Sequence, residues 1–347
     1  MLNILENVPL APLTTLKVGG AARFFIEATS EADVLAAFEH AAARGLELFI
    51  LGGGSNILVS DNGFDGLVVR IVLKGIEPAG GADAEKEVLS VRAGEDWDGF
   101  VEHCVGRDLA GVECLSGIPG TVGGAPVQSV GAYGQEVSET IVSVRCLDRQ
   151  SGRIVELSDR ECGFGYRTSI FNSSQRERYI VLSVKFALER GGGPKIVYRD
   201  LREHFAGANP TLAETRSAVL KIRAAKSMVI DPNDPNRKSA GSFFKNPVVH
   251  GAELARIASA ANADAVPHFD AGGQMVKVPA AWLIEQAGFK KGFAMGNAGI
   301  STRHSLALIN RGNASAAEII QLKNKIIDAV MEKFGIELLP EPIFIGF

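Results

Sequence analysis

Residues 115–134 read LSGIPGTVGGAPVQSVGAYG, and no other stretch restricts the fold of this chain as much. Its twenty residues hold six glycines, two prolines and no charged side chain. Glycine and proline both penalise a helix interior, so no helix is expected to persist here. The stretch is also too apolar for a solvated linker. Gly117, Gly120, Gly123, Gly124, Gly131 and Gly134 give a backbone that bends freely and lets another molecule come close to its N–H groups. Successive N–H groups with no opposing side chain form concavities that bind anions. Two readings stay open on these grounds: a loop wrapped around a phosphorylated cofactor, or a glycine-rich turn packed on its own core.

A second glycine cluster lies upstream. Residues 46–51 form a short apolar strand that runs into Gly52-Gly53-Gly54-Ser55-Asn56, and a second apolar run follows at 57–59. A glycine turn at a strand end, flanked by Ser and Asn, suits a pyrophosphate. No Gly-Lys-Ser/Thr follows it, so it is not a Walker loop, and it is not GxGxxG either.

At ~100–200 residues per domain, 347 residues give two or three domains. A 46% hydrophobic and 22% charged chain fits an ordinary soluble globular protein, and a net charge of −4 offers no basic surface for nucleic acid. Cys104, Cys114, Cys146 and Cys162 form no CxxC pair and have no nearby His, so unpaired thiols in a reducing, cytoplasmic setting are expected and no metal site is. No secretory leader is expected from residues 1–13, and no run of 18 apolar residues occurs, so no membrane span is expected.

The remaining elements follow from periodicity and caps. A strand is expected at 22–27. Ser30, with Asp33 at N3 and Gly45 beyond the end, brackets a helix through about Arg44. Strands are expected at 68–73, 88–93 and 179–186, a helix at 97–107, and a hairpin over 141–157. Gly191-Gly192-Gly193-Pro194 suggests a domain boundary nearby. Beyond it, Thr211 with Glu214 caps a helix through about Lys226; helices are expected at 252–261 and 280–286; and Ser315 with Glu318 caps a long one. Its stripe of Ile319, Leu322, Ile326, Val330 and Phe334 reads as core.

Three side chains could carry chemistry, and each also has an ordinary reading. Arg167, in GFGYRTSIF, reads equally as a salt-bridged surface arginine. Ser242, in GSFFKNP, reads as a turn or cap residue. Glu341, between Pro340 and Pro342, reads as a solvated tail residue. Nothing in spacing alone brings the three together.

LGGGSN, SGIPGTVGGAPVQSVGAYG, FGYRTSIF, GSFFKNP and PEPIFIG occur in that order, from residue 51 to 346. Together they resemble the UDP-N-acetylenolpyruvoylglucosamine reductase family of bacterial peptidoglycan synthesis. The resemblance implies an α+β fold: a two-subdomain FAD-binding unit of the p-cresol methylhydroxylase/vanillyl-alcohol oxidase type, plus a C-terminal α+β substrate domain. On this chain the FAD unit would span residues 1–190 (about 1–70 and 71–190) and the UDP-sugar domain 205–335. Residues 336–347 would return to the active site. FAD would be held noncovalently, by Gly53, Gly54, Ser55 and Asn56 and by Pro119, Gly120, Gly123, Gly124, Gly131, Tyr133 and Gly134.

The implied reaction is NADPH-dependent reduction of UDP-N-acetylglucosamine enolpyruvate to UDP-N-acetylmuramate, with hydride passing from flavin N5 to the terminal CH2. Arg167 and Glu341 match the family's carboxylate-site positions and Ser242 its proton donor. Tyr198, Lys226, Asn246 and His304 match nucleotide-sugar positions. A monomer is expected, with a small-molecule substrate and no nucleic-acid partner. Two departures stand out. Ser129 replaces an Asn common in the family, and the segment between Lys226 and Ser242, with DPNDPNR, is longer than in familiar relatives and leaves the placement of Lys226 open. Two alternatives remain: another FAD-linked oxidase of this fold, although no His occurs between Met1 and Glu39 to anchor a flavin covalently, and a non-catalytic UDP-sugar-binding protein.

Overall fold

In the computed structural model, residues 2–80 and 83–347 are described, and the chain divides into two compact units. The first comprises the chain up to Val8, Ala22–Gly54 and Asp65–Ile230; the second comprises Pro9–Ala21, Ser55–Phe64 and Asp231–Phe347.

Two larger sheets build most of the first unit. A four-stranded sheet orders Leu5–Pro9, Ala21–Ala28, Phe64–Ile71 and Leu48–Leu51, with the last two parallel. Helix α1 (Glu31–Arg44) belongs to the same unit. Ser30 Oγ accepts from the Asp33 N–H, Asp33 answers on the Ser30 N–H, and Gly45 closes the helix at φ 62°. Its apolar face, Val34, Ala37 and Ala41, is buried. The larger sheet is built on the long strand Tyr179–Arg190, paired antiparallel with Ile141–Asp148 on one side and Lys86–Arg92 on the other. The expected hairpin is present: Ile141–Asp148 pairs with Arg153–Ser158. Helix α2 (Trp97–Gly106) buries Trp97, Phe100, Val101 and Cys104. Trp97 and Phe100 pack edge-on with centroids 5.8 Å apart, and Phe100 lies 4.8 Å from Phe186 of the long strand.

The glycine-rich stretch departs from expectation at one point. It includes a one-turn helix, α3 (Gly124–Gln128), closed by Ser129 in the left-handed region at φ 44°. Five residues are short enough that the penalties of Gly124 and Pro126 do not accumulate, and proline is tolerated in a first turn where its missing N–H has no partner to lose. Downstream, Gly131–Ala132 and Gln135–Glu136 form a hairpin whose two loop residues, Tyr133 and Gly134, have φ 51° and 81°. Positive φ at both positions is the pattern of a type I′ turn, the two-residue loop that matches strand twist.

The boundary suggested near 191–194 is not where the compact units divide. Helices α4 (Arg199–Phe205) and α5 (Leu212–Ala225) stay with the first unit, because Leu201, Ala218 and Val219 bury their apolar faces against Cys114. Four buried, free cysteines lie in this unit, and burial pushes the Cys162 thiol up to about 12.

The second unit is built around helix α8 (Ala316–Phe334), which follows α6 (Leu254–Ala261) and α7 (Ala280–Gln286) in the chain. The predicted stripe of α8, Ile319, Leu322, Ile326, Val330 and Phe334, is fully buried. Its N-terminus carries the Ser315/Glu318 capping box, and Asp61 accepts from the N–H groups of Ala316 and Ala317 at 2.7 and 2.9 Å. Two small three-stranded sheets complete the unit, with a parallel pair between Ile57–Val59 and the C-terminal strand Ile343–Ile345. The DPNDPNR segment is an anchored loop: Asp234 and Asn236 are buried, and the Asn236 side chain bonds both the N–H and the hydroxyl of Thr302.

Candidate active site

Within the first unit the two glycine-rich loops meet. A Cβ on Gly53 would stand 2.7 Å from the Gly120 Cα, and one on Gly52 would stand 2.9 Å from the Thr121 hydroxyl. Backbones approach this closely only where side chains are absent. The N–H groups of Gly123 and Gly124 are already engaged, on Ala93 O at 2.8 Å and Thr121 O at 2.9 Å. Among the described residues, those of Gly53, Gly54, Gly120 and Thr121 meet no protein acceptor. Gly123 is needed for packing, since its Cβ would meet Ala93 Cβ at 2.7 Å; at Gly124 the Cβ direction opens onto space. Thr121, unmarked by the sequence reading, thus belongs with this cradle.

Charged side chains hold the loop in place. Arg216 forks onto Asp98 at 2.6 and 2.9 Å, and Asp98 accepts the Gly117 N–H at 2.5 Å. Arg223 of α5 donates to Gly117 O at 3.2 Å and Met228 O at 2.7 Å. Burial raises the Asp98 carboxyl, but the Arg216 fork and the Gly117 N–H outweigh it, leaving Asp98 below the ordinary carboxylate value.

Arg167 sits on a tight turn. Gly165 and Thr168 exchange main-chain hydrogen bonds at 2.9 and 3.1 Å, with Tyr166 and Arg167 as the two loop residues. Arg167 has φ 53°, a conformation that favours glycine. Its guanidinium donates to Ser129 O at 3.2 Å and to Gly131 O, so both carbonyls come from the glycine-rich stretch. The Ser129 hydroxyl is buried and, among the described residues, has no hydrogen-bond partner.

Tyr133, Tyr198 and Lys226 also come together in this unit. The tyrosine rings pack edge-on at 5.4 Å, and the Lys226 ammonium lies 5.9 Å from the Tyr133 ring. Lys226 pairs with Asp200 at 2.6 Å. Burial works against the Lys226 charge, but the bond to Asp200 together with the electrostatic pull of Tyr133, Asp200 and Tyr198 outweighs it and holds its pKa above the ordinary value. Tyr133, expected with the cofactor loop, therefore groups with the residues expected to meet the nucleotide sugar. Asp200, Arg223 and Asn172 are contacts that the sequence reading missed. The only signal for Asp200 is its place two residues after Tyr198.

In the second unit, the segment carrying Ser242 is held by main-chain bonds on two sides. Phe243 N donates to Leu306 O at 2.8 Å, Glu341 N donates to Phe243 O at 2.9 Å, and Lys245 N donates to Leu339 O at 2.9 Å. Phe243 and Phe244 are fully buried, whereas Ser242 is half-buried and follows Gly241 at φ 72°. Among the described residues the Ser242 hydroxyl bonds to no protein group. Asn56 Nδ2 donates to Glu341 O at 3.1 Å, which ties the Ser-Asn end of the first glycine cluster to the C-terminal segment. His304 lies two residues from Leu306 and its Nδ1 accepts the Leu306 N–H at 3.1 Å. Asn246 accepts the N–H of Ala280 at 2.9 Å and so caps α7.

Comparison with known proteins shows the family of the chain. Residues 22–158 match the family described as FAD binding domain, and residues 232–345 match the family described as UDP-N-acetylenolpyruvoylglucosamine reductase, C-terminal domain. The chain is 44% identical over 352 residues to the UDP-N-acetylenolpyruvoylglucosamine reductase of Streptomyces coelicolor, covering 99% of this chain and 90% of that protein. It is 46% identical over 351 residues to that of Nocardia farcinica, covering 98% and 89%. The crystal structure of the Thermus caldophilus reductase superposes with a TM-score of 0.69 at 25% identity, covering 99% of this chain and all of that one. With identity of this order along nearly its whole length, the chain belongs to the UDP-N-acetylenolpyruvoylglucosamine reductase family.

Proposed function

We infer that this chain is an FAD-dependent oxidoreductase that reduces the enolpyruvyl ether of UDP-N-acetylglucosamine enolpyruvate to UDP-N-acetylmuramate, with NADPH as the source of electrons. The observation that carries this is family identity across the full length of the chain, in both compact units. When bound, FAD would supply the hydride for reduction of the substrate's enolpyruvyl double bond at its terminal CH2. The two contacting glycine loops fit its diphosphate, since they offer unengaged N–H groups at Gly53, Gly54, Gly120 and Thr121 and no side chains in the way.

The remaining steps fall to side chains. As the terminal carbon becomes a methyl group, the electron pair of the double bond moves toward the carbon bearing the carboxylate. Arg167 binds that carboxylate and holds the growing charge; a guanidinium is always cationic and forks onto two oxygens. Two main-chain carbonyls set the plane of its fork beforehand. Ser242 then gives its hydroxyl proton to the carbon beside the carboxylate and regains one from solvent. A serine is a weak acid, but the acceptor is a strong base. A charged Glu341 would repel the developing charge, so its part in binding the carboxylate requires a proton or a cationic partner.

For the sugar nucleotide, Tyr198, Lys226, Asn246 and His304 are the binding residues of this reading, with Lys226 and Tyr198 supported by their grouping with Tyr133. Pro119, Gly123, Gly124, Gly131, Gly134, Ser55 and Asn56 complete the proposed cofactor contacts. The functional division remains 1–190 for FAD, 205–335 for the UDP-sugar, and 336–347 as the segment bearing Glu341. We place the chain in the cytoplasm as a monomer: NADPH and nucleotide sugars are cytoplasmic, and four free cysteines fit a reducing compartment. Among the described residues no helix is long and apolar enough to cross a membrane.

The test is NADPH oxidation by the purified protein with and without UDP-N-acetylglucosamine enolpyruvate. Oxidation that depends on the sugar and yields UDP-N-acetylmuramate supports the reading. Equal oxidation without it, drawing on oxygen, would instead indicate an oxidase. Acid precipitation should leave FAD in the supernatant.

A further inference from the structure

The turn that carries Arg167 is held by a side chain just beyond the FGYRTSIF segment. With Tyr166 and Arg167 between the bonded pair Gly165 and Thr168, and positive φ only at Arg167, the loop has the φ pattern of a type II turn. The third position of such a turn is ordinarily glycine. An arginine there is strained, and strain of this kind persists only where the surroundings over-determine the conformation.

Asn172 supplies the constraint. Its Oδ1 accepts the Ser169 N–H at 3.0 Å and the Thr168 hydroxyl at 3.4 Å, which turns its amide NH2 toward the Arg167 carbonyl at 3.3 Å. Ser169, fully buried, donates its hydroxyl to Val127 O at 2.9 Å and ties the same turn to α3. The helix α3 ends at Ser129, whose carbonyl receives the Arg167 guanidinium. Main chain and side chain of Arg167 are thus referred to one short segment, and Asn172 closes the loop.

We propose that Asn172 is a positioning residue for the substrate carboxylate: it locks the main chain of Arg167 in the left-handed conformation from which the guanidinium reaches its two carbonyls. This rests on the reading of Arg167 as the carboxylate-binding group. Without the Asn172 amide, Arg167 relaxes toward ordinary φ, its fork loses its fixed plane, and affinity falls for ligands that bear the carboxylate.

The experiment measures, by calorimetry on the flavin-loaded protein, the Kd of UDP-N-acetylmuramate, which carries the carboxylate, and of UDP-N-acetylglucosamine, which lacks it. Asn172→Ala should weaken the first about tenfold, the effect of losing one hydrogen bond to the turn, and leave the second within about twofold. Asn172→Asp keeps the acceptor for Ser169 but loses the donor to Arg167, so it should weaken the first ligand by a similar factor; it answers the question alone if the alanine variant does not fold. In an Arg167→Lys background, Asn172→Ala should add nothing further. Equal weakening of both ligands, no weakening of either, or an undiminished effect in the Arg167→Lys background would overturn the proposal. If Arg167→Lys itself spares the carboxylate-bearing ligand, the assignment of Arg167 fails and the proposal with it; if only the Asn172 variants are silent, that assignment stands and the role of Asn172 falls.

Discussion

The two places that carry the proposed catalytic groups are built by different means. Arg167 is placed by side chains: its own guanidinium on two carbonyls, the Asn172 amide behind its main chain, and the Arg216–Asp98–Gly117 chain holding the start of the glycine-rich loop. Ser242 and Glu341 are placed by main chain: three main-chain hydrogen bonds join the segments around Phe243, Leu306 and Leu339, over two buried phenylalanines. A site held by side chains can carry strain and is open to single substitutions. A site held by main-chain hydrogen bonds and a core keeps its shape when an exposed side chain is changed, because no substitution removes the amides short of proline.

The largest expected effect uses the main-chain-held site. Ser242→Ala should leave the midpoint of thermal unfolding within about a degree while slowing sugar-dependent flavin reoxidation by ~10²–10⁴, the range for a positioned acid. Flavin reduction by NADPH needs no serine proton and should be nearly unchanged, which stopped-flow absorbance resolves half-reaction by half-reaction. Equal slowing of both would show that Ser242 only shapes the site.

Arg167→Lys comes next. Lysine keeps the charge but cannot fork onto two carbonyls, so turnover should fall by ~10²–10³. Unlike the serine variant, it also removes anchors from the loop, and hydrogen exchange at residues 129–131 should quicken. Unchanged turnover would remove Arg167 from the site.

Asp98→Asn tests the loop anchor without touching chemistry. It leaves the partly buried Arg216 guanidinium without its carboxylate and weakens the bond to Gly117 N–H, for a loss of about 2 kcal/mol and a fall of about 4 °C in Tm. A Tm equal to that of the parent would mean the pair contributes nothing.

The smallest effect is acid sensitivity. Asp98 is held below its ordinary carboxylate value, so the stability it lends is fully present above the unfolded value of ~3.9 and is lost as pH falls through the lower folded value. The main-chain hydrogen bonds around Phe243 do not titrate. Hydrogen exchange, corrected for its intrinsic pH dependence, should therefore show residues 115–124 losing protection between pH 5 and pH 3 before residues 241–246 do. Simultaneous loss would erase the contrast between the two sites.

Much of this was legible before any coordinates. The capped helices at Ser30, Thr211 and Ser315 follow from local chemistry, since a cap and its N3 partner are three residues apart and need nothing distant. The apolar stripe of α8 and the hairpin over 141–158 are likewise local periodicities. The glycine loops could be recognised as special backbone, but not that Gly53 would press on Gly120, because that contact joins residues far apart in the chain.

Tertiary structure also decided which N–H groups stay unengaged, and that Tyr133 lies with Lys226. It decided that Asn172, an ordinary polar residue in sequence, stands behind the strained Arg167. It moved residues 199–225 into the first unit, through a handful of apolar contacts with Cys114 that a Gly-Gly-Gly-Pro break cannot foretell. Residue types and short spacings carry the propensity of each segment. Which segments meet depends on burial summed over the whole fold, and an arginine in a glycine's conformation is tolerated at position 167 only because that sum holds it there.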